Sequence, residues 1–438
     1  MASLSYPRPQ ALPGRCCPQP LRSLIPLELP CTAVLPPLPS LQRHFLDTSY
    51  TLTTHLIPAA VPRTTPDAPL PDLPAWSADK EQWKASVSKT SEFIKEMRYE
   101  QWAGRLKGPG SRNQLWACVN RYLRSDLQEG QLSNGVTLFF AHANGFPKEI
   151  WEPTLSNLIA ARQKTGASYT IDEIWIWEAV NHGDACLVNG DNLGGMCFGT
   201  DDWQDNARDV IQFLYYYLPP HSSARELPTH LPRQSEATCR HRELYGLRDR
   251  PLVGIGHSLG GCTIARAAVA IPKLFASLVL VDPIIRPHPQ QGPLIPAHTM
   301  KLISGAVQRQ SHWLSREDAR EKFIASPFFS AWDSAVLNLY LECGLCDDGS
   351  GGVQLKMPGV HEALVFSETM TTFETWDLID TLDPHVEIRW IIPENSQGES
   401  RIHEQMVWRR PENSSNTIIP SAGHLIAQEK PAELGKCS

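Results

Sequence analysis

Leu252-Val-Gly-Ile-Gly-His-Ser-Leu-Gly-Gly261 is an apolar run that ends in Gly256-His257-Ser258-Leu259-Gly260 and passes directly into the helical periodicity of Cys262–Ile271. A serine flanked at two residues' distance by glycines, at a strand-to-helix junction, is the signature of a nucleophile elbow. The glycines leave the backbone room for a strained turn, and the hydroxyl is pushed clear of the sheet. The amino end of the following helix favours negative charge on a substrate oxygen. Ser258 is therefore the expected nucleophile, and the Leu259 N–H an expected oxyanion donor. His257 occupies a variable elbow position and is expected to pack against or orient the turn.

Working outward, the chain from Val136 has an α/β rhythm of short apolar runs, each followed by a turn and a helical pattern. Strands are expected at Val136–Ala141, Ile174–Ala179, Pro251–Ile255, Ala276–Val281, Val386–Ile392 and Ser415–Ile419, with helices at Lys148–Arg162, Asp201–Leu218 and Gly260–Ile271. Further upstream, Tyr50–Ile57 and Gln114–Val119 read as strands and Trp76–Trp102 as a helix. Such alternation specifies a mostly parallel central sheet flanked by helices, with the site at the carboxyl ends of the strands. Together with the elbow, it points to the α/β-hydrolase fold.

Two segments break the rhythm. Pro219–Arg250 is a polar insertion. Pro283–His385 lacks a clear sheet strand and is rich in large apolar groups such as Trp313, Phe328, Phe329 and Trp332. The expected organisation is a leader at 1–44, a core at 45–282, a mainly helical cap at 283–385 and the rest of the core at 386–438. Residues 1–44 hold many prolines and a single acid, Glu28, the composition of a disordered or leader segment outside the fold.

The second oxyanion donor of this fold normally comes from the loop after an early strand. Here that loop is His142-Ala-Asn-Gly-Phe-Pro147. Gly145 allows a tight turn, making the Phe146 N–H the candidate. The base must come late in the chain, and His424, in Ser421-Ala-Gly-His-Leu425 past the last expected strand, fits. Two carboxylates stand at strand ends where they can hold its imidazole in one tautomer: Asp282, after Leu278-Val-Leu-Val281, and Glu394, in Ile391-Ile-Pro-Glu-Asn395.

The 438 residues carry a net charge of −7 with 42% hydrophobic residues, an ordinary globular composition with no clustered basic charge of the kind nucleic acid demands. No stretch is long and apolar enough to span a membrane. Eleven cysteines without framework spacing fit a reduced, intracellular setting. Cys343-Gly-Leu-Cys346 has no second pair to complete a zinc site and reads as two loop thiols.

His142-Ala-Asn-Gly-Phe-Pro-Lys-Glu149, Asn181-His-Gly-Asp184, Gly256-His-Ser-Leu-Gly260, Val281-Asp-Pro283 and Ala422-Gly-His424 together resemble, in the same order, the blocks of a fungal α/β-hydrolase branch. That branch includes the mycophenolic acid acyl-CoA hydrolase, the AK-toxin biosynthesis hydrolases and, more distantly, the yeast peroxisomal lipase. The resemblance implies that Asp282 is the acid, that a helical cap covers the site, and that the reaction is hydrolysis of an ester or acyl-CoA thioester, often in secondary metabolism. It makes Asn181–Asp184 a structural turn near the site. Relatives often end in a peroxisomal tripeptide, whereas this chain ends Lys436-Cys437-Ser438, so cytoplasmic and peroxisomal residence both stay open.

The expected chemistry is acyl transfer through Ser258 and His424 on a small-molecule substrate, with neither metal nor organic cofactor. A thioesterase should present a basic rim to the phosphates of CoA, on the cap or on the insertion through Arg225, Arg233, Arg240, Arg242, Arg248 and Arg250. The alternatives are a lipase or carboxylesterase acting on oxygen esters, and a non-catalytic binding protein on the same fold.

Overall fold

The computed structural model describes residues 4–30, 34–74, 77–128, 130, 135–166, 169–193, 202–222, 226–247, 250–396 and 398–437. Its central sheet has eight strands: β1 (Tyr50–Pro58), β2 (Trp116–Arg124), β3 (Val136–Ala141), β4 (Ile171–Glu178), β5 (Leu252–His257), β6 (Ser277–Val281), β7 (Glu387–Pro393) and β8 (Ser414–Ile419). Their spatial order is β1-β2-β4-β3-β5-β6-β7-β8. β2 pairs antiparallel with both neighbours and every other pairing is parallel. This is the mostly parallel sheet that the α/β rhythm and the elbow call for.

Both faces of the sheet are covered, and the period-two alternation of each strand divides its apolar residues between them. On one face Phe139, Trp175, Trp177, Leu280 and Trp390 pack with the helices Trp203–Gln212, Leu259–Ala270 and Met370–Leu378. On the other, Phe140, Ile174, Ile176, Val279 and Ile391 pack with Glu152–Thr165 and Pro431–Cys437. The expected helix Asp201–Leu218 is an α-helix that widens into a π-helical turn at Phe213–Tyr217.

Residues 283–385 contain helices at Ala297–Val307, Arg316–Ala325, Pro327–Ser330, Ser334–Cys343 and Gly359–Ser367, and a small sheet of His312–Trp313, Leu345–Asp347 and Val353–Leu355. Helix Met370–Leu378 lies in the same span but packs against the elbow helix, in the core. Helix Lys80–Trp102, far upstream, packs on Ala297–Val307 and Gly359–Ser367, and Val87 and Ile94 bury against Ile303, Ala306 and Ala363. The covering layer is thus assembled from two distant pieces of chain. Cys343 ends a helix and Cys346 sits in a short strand, rather than both lying in a loop.

The segment expected to lie outside the fold runs along it instead. The backbone of Leu4 and Tyr6 bonds to Ile418 and Asn416 of the edge strand β8, covering an edge that would otherwise offer unpaired donors and acceptors. Farther on, Arg22 reaches Glu374 at 2.7 Å, Asp202 at 3.0 Å and Glu368 at 3.8 Å. All three carboxylates are buried, so the arginine supplies a counter-charge that the core needs. Arg22→Ala should therefore cost about 3 kcal/mol of stability, because it strands buried carboxylates without their cation. A fall in the urea midpoint at unchanged slope is the expected result.

Two of the insertion arginines differ from expectation. Arg242 donates to the carbonyls of Leu214, Tyr215 and Leu218, and Arg250 bonds to Thr137, Pro219 O and Glu173. Both are buried. Arg242 satisfies carbonyls at the close of the π-helical turn, and Arg250 ties the connection to Thr137 and Glu173 near the amino ends of β3 and β4, the end opposite the elbow. Arg233 pairs with Glu236 and lies over Tyr216, while Arg225 and Arg248 fall outside the described residues.

Candidate active site

Ser258 closes β5 with φ 56° and ψ −115°, a conformation that non-glycine residues adopt only when their surroundings enforce it. Its N–H donates to Val281 O at 3.1 Å, and its carbonyl accepts from Cys262 and Ile284, each at 3.1 Å. The glycines of the elbow are steric necessities. A Cβ on Gly256 would lie 2.4 Å from Gly260 O, and one on Gly260 would lie 2.4 Å from Ala141 O.

Ser258, His424 and Asp282 come together from three strand ends. Ser258 Oγ lies 3.0 Å from His424 Nε2, and His424 Nδ1 lies 2.6 Å from Asp282 Oδ2. Burial alone would raise the Asp282 carboxyl, but the facing imidazoles of His424 and His403 outweigh it and hold the group well below the usual carboxylate range. Glu394, the other candidate acid, accepts the N–H of Ser421 at 2.8 Å instead. It stabilises the turn that leads to His424, where Ser421 has φ 56°.

His257 projects beneath this chain. Its Nε2 lies 2.8 Å from His424 O and its ring packs 5.3 Å from the His424 ring, and burial lowers its pKa to about 3. It therefore orients the His424 segment as a neutral imidazole. His403 went unnoticed in the sequence. It lies on helix Ser400–Met406 with Nε2 3.0 Å from Asp282 Oδ1, an ion-pair distance without the line of a straight hydrogen bond. A histidine amid the polar stretch after β7 offers no periodic signal that would single it out.

Facing the elbow, the loop His142–Pro147 is held by a hydrogen bond from Gly260 N to His142 O at 3.1 Å. Ala179 N–H donates to His142 Nε2, so Nδ1 carries the hydrogen and donates to Ala143 O. Burial lowers the pKa of this histidine to about 4, keeping it in that neutral form. Gly145 takes φ 86°, the tight turn that the sequence suggests. Neither the Phe146 N–H nor the Leu259 N–H meets a protein acceptor among the described residues. Asn181 and His182, expected to form a structural turn, join this loop through His182, 2.7 Å from Asn181 Oδ1 and 3.1 Å from Asn144 Oδ1.

The covering layer reaches the site at the same loop. Asn144 Nδ2 donates to Glu362 O, and the Phe146 ring meets Trp332 and Tyr340 edge to face at 5.4 and 6.0 Å. Phe329 and Phe323 extend the aromatic wall, and Leu425, next to His424, packs on the same cluster. Asp333 N donates to Gln428 O, fastening this wall to the segment that carries His424.

The alpha/beta hydrolase family model matches residues 138–435, and the chain belongs to that family. It is 25% identical to the peroxisomal membrane protein LPX1 of Saccharomyces cerevisiae over 313 residues, 68% of this chain and 72% of LPX1. It is 29% identical to the type I acyl-CoA thioesterase mpaH of Penicillium brevicompactum over 44% of this chain and 36% of that protein. It is 38% identical to the abhydrolase domain-containing protein AKT2 of Alternaria alternata over 23% of this chain and 35% of that one. The match thus spans only about a third of the Penicillium and Alternaria proteins. The solved structure of the yeast peroxisomal hydrolase Lpx1 superposes with a TM-score of 0.60 at 20% identity, covering 89% of this chain and 87% of that one. No helix of the described residues is long and apolar enough to cross a membrane.

The elbow geometry makes a direct prediction. Gly260→Ala should destabilise the protein by about 3 kcal/mol or more, since the new methyl overlaps rigid backbone rather than a movable side chain. Thermal unfolding of the purified variant measures this, and a Tm equal to the parent's would show that the loop and elbow are not in such close contact.

Proposed function

We propose that the protein is a serine hydrolase that cleaves an ester or acyl-CoA thioester by a Ser258–His424–Asp282 acyl-enzyme mechanism. The observation that carries this reading is the continuous chain of short contacts from Asp282 through His424 to Ser258, set at the head of a strained elbow. Asp282 fixes the imidazole with Nδ1 protonated, leaving Nε2 free to take the Ser258 proton as Oγ attacks the substrate carbonyl. The N–H groups of Leu259 and Phe146 receive the negative charge that develops on the carbonyl oxygen. His424 then gives the proton to the departing alkoxide or thiolate. Water, activated by the same imidazole, releases the acyl group. No step requires a metal or an organic cofactor.

The aromatic wall of Phe146, Phe329 and Trp332 supports an apolar acyl group. The name of mpaH supports a thioester, and that of LPX1 supports residence inside the cell at the peroxisome. A fluorophosphonate probe tests the nucleophile: labelling of the parent that is lost in Ser258→Ala is expected, and an unlabelled parent would favour a non-catalytic binding protein. A panel of acyl-CoAs against matched oxygen esters then separates thioesterase from lipase or carboxylesterase.

Kinetics on folded variants test the acid. Asp282→Asn should lower kcat by up to about four orders of magnitude, the effect of this change in the serine-protease triad, whereas Glu394→Gln should cost little. A severe loss at Glu394 with a mild one at Asp282 would reverse the assignment. For the acyl pocket, Phe329→Ala should shift the ratio of kcat/KM between short and long or aromatic acyl groups by about tenfold, the worth of a few contacts in an apolar pocket. An unchanged ratio would place specificity elsewhere.

A further inference from the structure

Directly after the loop of Phe146, Lys148 enters a buried cluster of charge that the acyl-transfer reading does not use. Its backbone N–H donates to Glu178 Oε1 at 3.0 Å. Its ammonium lies 3.2 Å from Glu178 Oε2, 2.9 Å from Asp184 Oδ2 and 3.0 Å from Glu149 Oε1. The second oxygen of Asp184 receives Lys356 Nζ and Ser40 Oγ, each at 2.6 Å. Lys356 follows the small-sheet strand Val353–Leu355 of the covering layer. All five charged side chains are buried.

The cluster explains two motifs at once. Gly183 has φ 43°, and a Cβ there would lie 2.0 Å from Glu178 Oε1, so the Asn181-His-Gly-Asp184 turn needs glycine for the carboxylate to fit. Ala185 N–H donates to the other oxygen of Glu178. Cys118, Glu178 and Asp184 have ligand atoms close enough together for a cation, but the Lys148 ammonium already supplies the positive charge. Burying two ammonium and three carboxylate groups is costly unless each is paired, and the pairing here fixes four segments relative to one another: β4, the oxyanion loop, the Asn181–Asp184 turn and the covering layer.

We propose that Lys148 is a positioning residue for acyl transfer: through Glu178 and Asp184 it holds the Phe146 N–H at the oxyanion position, while Lys356 locks the covering layer to the same anchor. Preorganised donors do their work only if they need not move as charge develops. Anchoring on the residue two beyond Phe146, with both its backbone and its side chain bonded, is a direct way to hold that N–H still. Burial raises the Glu178 carboxyl against the pull of Lys148, so loss of the lysine favours the neutral carboxyl, a weaker acceptor for the backbone N–H of residue 148.

The inference rests on the serine hydrolase reading, and the experiment separates the two. Full-length parent, Ser258→Ala, Lys148→Met and Lys356→Met are compared for the rate of labelling by a fluorophosphonate, for kcat and KM on one turned-over ester, and for inhibition by a trifluoromethyl ketone that forms a tetrahedral adduct. Lys148→Met should slow labelling and lower kcat at least tenfold with KM changed less than threefold, and should weaken the ketone in proportion to kcat. Lys356→Met should move mainly KM. If Lys148→Met does not fold, Lys148→Met/Glu178→Gln removes both charges and carries the same expectation. Parent labelling with unchanged kcat and ketone affinity in the folded lysine variant overturns the positioning role. Absence of labelling in the parent overturns the hydrolase reading on which it rests.

Discussion

The backbone of Ser258 is bent into a conformation that costs a non-glycine residue about 1–3 kcal/mol, and it stays there because the neighbouring strand will not let it relax. Its N–H is bonded to Val281 O of β6, one residue before Asp282. The pattern repeats across the sheet. Asp282, itself at φ 35°, donates to Ile391 O of β7, and Glu394 donates to Ile419 O of β8. Each strand end is thereby fixed by the next strand, so Ser258, Asp282 and the turn before His424 are set by one continuous parallel ladder. The geometry of the candidate site inherits the rigidity of the sheet rather than that of any loop.

That staircase explains why a buried carboxylate can serve where it does. Asp282 is 2% exposed, and an unpaired carboxylate so placed would take up a proton. His424 on one oxygen and His403 beside the other keep it charged. Only the first of these contacts shares a proton line with Ser258. The second lies at ion-pair distance from the other oxygen and supports the carboxylate's charge from outside that line.

Sequence reasoning reached all eight sheet strands: the inner ones are buried apolar runs bounded by turns, while the edge strand Tyr50–Pro58 shows in the alternation of its residues. It singled out Ser258 and His424, which the structure brings to 3.0 Å of each other, through chain order and strand ends, properties local to each motif. Asp282 and Glu394 could not be told apart from the residues alone, since both follow strands, and what separates them is the stagger of β6 against β7. Contacts that join distant segments left no local trace. Arg22 reads as one arginine in a proline-rich stretch, yet it neutralises carboxylates some 180 and 350 positions away. Helix Lys80–Trp102 has a weak apolar stripe that shows a buried face without showing its partner.

The same limit bears on the leaving group. A basic insertion reads as a surface for phosphates, but Arg242 spends its donors on the carbonyls of Leu214, Tyr215 and Leu218, and Arg250 on Pro219 O, Thr137 and Glu173, toward the amino ends of the strands and away from Ser258. Near the oxyanion loop, the guanidinium of Arg309 is paired with Glu362 at 2.8 Å, and Lys356 is committed to Asp184. In the region of Phe329 the covering layer exposes Leu314, Ile324 and Phe328 beside charged groups of helix Arg316–Ala325 such as Arg320 and Lys322. On the proposed reading, an apolar acyl group would draw its binding from the aromatic wall of Phe146, Phe329 and Trp332 by removing apolar surface from water.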